Sequence, residues 1–120
     1  MVRKSLLLLA FVAAPLAARA QDLDSGKLIA IRSLRTVAAE AALVVDLRQH
    51  GRVTETYAEE MQQDAEDELN GLRKQAEKKN PDLLSITQQA IDAAKASDAR
   101  ALHAIADKLL AMEGPHGRAD

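Results

Sequence analysis

Residues 24–50 read DSGKLIAIRSLRTVAAEAALVVDLRQH, and the spacing of their apolar positions decides the fold. At 100° per residue, Ala30, Ile31, Leu34, Val37, Ala38, Ala41, Val44 and Val45 share one helical face about 140° wide. That is a broad core stripe. Asp24 or Ser25 can cap the start of this helix, and Gly51 supplies its stop. A second ridge, Ile29, Leu43 and Leu47, lies more than about 60° beyond the edge of the first. Polar Arg32, Arg35 and Asp46 are left a narrow wedge. A helix apolar over so much of its circumference needs more than one neighbour. The second ridge is therefore expected to bind a partner or a second copy through Ile29, Leu43 and Leu47. The alternative is that later helices of the same chain cover both ridges. Glu40 sits close in angle to Ile29 and Leu47. It is either a snorkelling or salt-bridged carboxylate, or a specificity contact within that surface.

Downstream, no strand pattern occurs. Long stretches rich in Ala, Glu, Leu, Gln, Arg and Lys are separated by Gly and Pro. A helix is expected over 55–79, with Thr54 as N-cap and a narrow stripe of Tyr57, Met61, Ala65, Leu69, Leu72 and Ala76. The rest of its surface is charged or amide-bearing. Gly71 weakens it by about 1 kcal/mol relative to Ala and leaves room for another backbone to approach. Asn80 is read as a cap and Pro81 as the first position of a third helix ending near Ala94. Ser97 or Asp98 caps a last helix to about Met112, with the stripe Leu102, Ile105, Ala106, Leu109 and Met112. The last two segments are one bent helix or two separate ones. The fold class is all-α: a small antiparallel bundle of three to four helices over 21–113, with a flexible tail at 114–120.

The first twenty residues read as a secretory signal peptide of bacterial style. Arg3 and Lys4 form a positive start, Ser5 to Ala18 is uncharged, and Ala18-Arg19-Ala20 offers a cleavage site before Gln21. The apolar run is shorter than the roughly 20 residues a spanning helix needs. No second such run follows, so no membrane insertion is expected after cleavage. The periplasm is the expected destination, with secretion as the alternative. Cleavage removes Arg3, Lys4 and Arg19, taking Lys+Arg from 16 to 13 against 18 Asp+Glu, a net charge of −5.

This acidic chain has one aromatic residue outside the leader, Tyr57, and no cysteine. It lacks what stacking on nucleic acid or approach to phosphate requires, so no nucleic-acid partner is expected. Cysteine-ligated metals, disulfides and thiol nucleophiles are excluded. No Ser-based nucleophile elbow and no phosphate-cradling Gly loop is present, and no enzyme activity and no cofactor are expected. Glu60, Asp64 and Glu68 line one edge of the 55–79 helix at i, i+4 spacing. With His50 or His103 they offer an alternative function, a metal-binding or metal-responsive protein. No Glu-x-x-His pair marks a di-iron bundle.

Overall fold

The computed structural model describes residues 25–114. The leader assigned to 1–20 and the tail beyond Gly114 lie outside the described residues. Among the described residues four α-helices follow in order: α1 Ser25–Gln49, α2 Glu55–Lys79, α3 Leu84–Lys95 and α4 Ala99–Glu113. A 3-10 turn, Pro81–Leu83, precedes α3. Among the described residues there is no strand.

The turn chemistry sets these boundaries. At the end of α1, Gly51 takes φ +66°. Its N–H donates to the Arg48 carbonyl, and the Arg52 N–H donates to the Leu47 carbonyl. This left-handed stop satisfies carbonyls that the helix would otherwise leave open. The Thr54 hydroxyl then accepts the Tyr57 N–H at 3.1 Å and starts α2. The same stop recurs between α3 and α4, with Ser97 at φ +53° in the glycine-like position and Asp98 N–H donating to the Ala93 carbonyl. The Asp98 carboxylate accepts the Ala101 N–H at 3.0 Å. The last two segments are therefore separate helices. Asn80 departs from its expected role: its side chain makes no capping bond, and Pro81 opens the 3-10 turn instead.

The helices run up, down, up and down around one core. Lys27 at the start of α1 pairs with Asp82 at the start of the third limb. His103 near the start of α4 lies against Asp46 near the end of α1, while Glu113 at the end of α4 reaches Arg32 and Arg35. These contacts set α4 antiparallel to α1. Ile31, Leu34, Leu69, Leu83, Ile91, Leu102 and Leu109 form the centre of the core. The broad face read on α1 is buried as expected except Ala30, which is half-buried, and Ala42 joins it. On α2, Ala58 takes the buried place expected for Tyr57, whose ring is exposed, and Met61 is half-buried. On α4, Met112 is exposed and Glu113 is fully buried in the next position of the stripe.

Gly71 also corrects an expectation. No backbone approaches it, and a Cβ built there meets nothing within 4 Å. Gly71→Ala should therefore raise stability by about 1 kcal/mol, read as a higher urea midpoint with unchanged slope. A drop would mean that α2 is strained at that turn.

Two exposed ion pairs close the ends of the bundle. Arg48 Nη2 lies 2.7 Å from Glu55 across the α1–α2 loop. Hydrogen bonds from Arg48 and from Lys27 hold the Glu55 and Asp82 carboxyls below their ordinary values. Groups depressed in the folded state add stability that is complete above their unfolded values and is lost as pH falls through the folded ones. Acid titration of the melting temperature should show a fall below about pH 4. The double variant Glu55→Gln, Asp82→Asn should titrate less steeply; an unchanged acid limb would assign the loss to other carboxylates.

Candidate interaction surface

The α1 helix presents one face to its neighbours and another to the outside. Its inner face packs on α2 and α4. Its outer stripe consists of Ile29, Ser33, Thr36, Glu40, Leu43 and Leu47, spaced alternately by four and three residues. Ile29 is 62% exposed and Leu43 is 55% exposed, the two highest values among the large apolar residues described. Leu47 is half-buried, so neighbouring helices cover this end of the ridge in part. Glu40 is exposed. The rest of the bundle thus covers the broad face of α1 and leaves most of the second ridge open.

The stripe borders two concavities between α1 and α2. One, about 350 Å³, is lined by Ile29, Thr36, Val37 and Glu40 with Glu68 from α2. The other, about 320 Å³, shares Ile29 and Ser33 and adds Gly26, Gln75 and Lys79. Both are open grooves walled by mixed side chains. A third groove of about 460 Å³ lies between α3 and α4, floored by Ala93, Ala101 and Ile105 and edged by Asp92, Asp98 and Lys108.

The metal alternative finds no constellation. Among the described residues, no group of three or more His, Asp or Glu side chains is arranged to hold an ion. Glu60, Asp64 and Glu68 are exposed along α2. His50 Nδ1 lies 2.7 Å from the Asp46 carbonyl oxygen, a contact within the end of its own helix. His103 Nε2 lies 3.0 Å from Asp46 Oδ2. The two histidines thus approach one residue by different atoms, and the α2 carboxylates do not join them in such a group.

A charged cluster the sequence reading missed lies at the end of α4. The Glu113 carboxylate is fully buried and accepts from Arg32 Nε at 3.2 Å and from Arg35 Nε. The signal was available: Glu113 continues the spacing of Leu102, Leu109 and Ile105, and Arg32 and Arg35 form an i, i+3 pair on α1. A second cross-bundle tie is Gln62 of α2. Its amide accepts from Arg48 Nη1 of α1 at 3.2 Å and donates to the Ala94 carbonyl at the end of α3 at 2.9 Å. These polar ties fix which helix sits beside which.

No family model, curated protein or solved structure matches the chain. No described helix is long and apolar enough to cross a membrane.

Proposed function

We propose that this chain is an exported, non-enzymatic helical module of the periplasm that binds protein through the outer stripe of α1. It would act as an adaptor, an inhibitor or a holdase-like chaperone. One observation carries the reading: Ile29 and Leu43, the most exposed large apolar residues described, lie on one stripe of one helix. Apolar anchors at helical spacing beside a groove suit helix-in-groove binding or bundle completion. Their exposure costs the monomer nothing in packing, and covering them is favourable at about 25 cal/mol per Å². Export rests on the leader pattern Arg3-Lys4, the apolar run and Ala18-Arg19-Ala20.

Leu43→Asp separates the interface from the core. The melting temperature measured on dilute monomer should fall by no more than about 4 °C, because Leu43 is more than half exposed. Capture of partner should be lost. If the variant unfolds, Leu43 is core; if folding, oligomer state and capture are all unchanged, the stripe is not an interface. Cell fractionation with N-terminal sequencing tests export: Gln21 as first residue in the periplasmic fraction supports it, and an intact Met1 in the cytosol opposes it.

A further inference from the structure

We infer that the occupant of the α1 stripe is a second copy of this chain, docked antiparallel about Thr36. The inference rests on the reading above that the stripe is an interface, and it names the partner.

The stripe has the geometry of a coiled-coil seam. Its steps of four, three, four, three and four residues keep Ile29, Ser33, Thr36, Glu40, Leu43 and Leu47 in line on a gently supercoiled helix. The seam is also self-complementary. Ile29 and Leu43 each lie seven residues from Thr36, about 10 Å along the axis in opposite directions. A two-fold axis beside Thr36 therefore sets Ile29 of one copy against Leu43 of the other, and the reverse. It sets Glu40 near Ser33 of the second copy, where a hydroxyl can donate to the carboxylate. It places Leu47 over Gly26, where no side chain obstructs it. This is the isologous arrangement, in which every contact occurs twice. Glu40 is then explained as a polar residue that fixes register, since a slip along the seam would press its carboxylate against Leu43 or Ile29.

Charge supports the same occupant and the same direction. From 55 to 72, α2 carries seven carboxylates and no Lys or Arg; from 73 to 79 it carries four bases and one carboxylate. The helix α2 runs antiparallel to α1 beside the stripe. Its basic end lies at Ile29, where Lys79 shares a groove, and its acidic half lies toward Glu40, where Glu68 does. A two-fold at Thr36 exchanges the ends, so the acidic half of each α2 lies alongside the basic end of the other. A parallel pair would set like charge against like. A second copy thus supplies both the apolar pairs and the complementary field.

The chain has no cysteine, so single thiols report geometry cleanly. Thr36→Cys should form a disulfide-linked dimer on mild oxidation. A mixture of Ile29→Cys and Leu43→Cys should cross-link to each other, while Ile29→Cys alone should stay largely monomeric. Sedimentation of the unmodified protein should show a concentration-dependent dimer, and Leu43→Asp should raise its Kd by roughly thirty-fold or more, with the melt at concentrations below the native Kd lowered by no more than about 4 °C. Self-linking by Ile29→Cys would overturn the antiparallel order. A mass fixed at monomer up to about 1 mM, with no Thr36→Cys disulfide, would overturn the second copy. In that case, an in-cell adduct at Leu43 to one different protein would leave the stripe an interface with another occupant. Absence of any adduct would remove both readings.

Discussion

Replacing Leu102 with Ala should lower the free energy of unfolding by about 3 kcal/mol. Leu102 is fully buried near the start of α4, within the one core that all four helices share. Among the described residues, nine of the twenty-one buried apolar side chains are Ala, so the few Leu and Ile carry most of the buried area. Close Ala-lined packing also leaves little freedom for the walls to collapse into the vacated space, and a cavity adds to the lost transfer energy. A domain of this size has a total stability of order 5–15 kcal/mol, so the variant loses a large part of it. Urea unfolding followed by circular dichroism reads the effect. Leu110→Ala, at the residue next to Leu109 but about 100° round the helix and 38% exposed, is the control and should change stability by no more than about 0.5 kcal/mol. Equal effects of the two substitutions would mean that α4 packs by a different face.

Glu113→Ala is expected to cost about 2 kcal/mol. The carboxylate is sealed between α4 and α1, and its removal leaves the Arg32 and Arg35 guanidiniums side by side without it. Breaking a fully buried pair costs about 3–5 kcal/mol. Here the side chains of Arg32 and Arg35 remain 38% and 31% exposed, so water recovers part of the loss. Glu113→Gln, which keeps an acceptor and drops the charge, should cost about half as much. The cluster also predicts non-additivity: in a Glu113→Ala background, Arg35→Ala should cost little more. Full additivity of the two would show that Glu113 is held by packing and that the guanidiniums contribute nothing.

The parts of this fold that were legible in the sequence are those decided locally. Thr54 and Gly51 bound α1 and α2 because a side-chain oxygen and a left-handed glycine act on their own turns. The inner face of α1 was legible because eight apolar residues at one period leave a single interpretation. What was missed depends on partners distant in sequence. A carboxylate belongs in an apolar stripe only when two arginines stand about eighty residues away, so Met112 looked the better core residue than Glu113. Tyr57 and Ala58 lie about 100° apart, and it is Ala58, seven residues before Ala65, that falls on the buried line of Ala65, Leu69 and Ala76, which Tyr57 only borders. Asn80 makes no side-chain cap; its carbonyl instead accepts the Leu83 N–H of the 3-10 turn at 2.8 Å, a local detail that the Asn-Pro pair did not reveal. The outer ridge was legible as an oddity of composition. That it remains uncovered required the packing of all four helices.

The most direct measurement is site-specific photo-crosslinking in cells, with the photoreactive residue placed at Leu43 and, as a control, at exposed Gln89 beside the α3–α4 groove. An interface along the α1 stripe predicts one strong adduct at 43 that is absent at 89 and disappears when Ile29→Asp is added. Equal, faint adducts at both positions would contradict it.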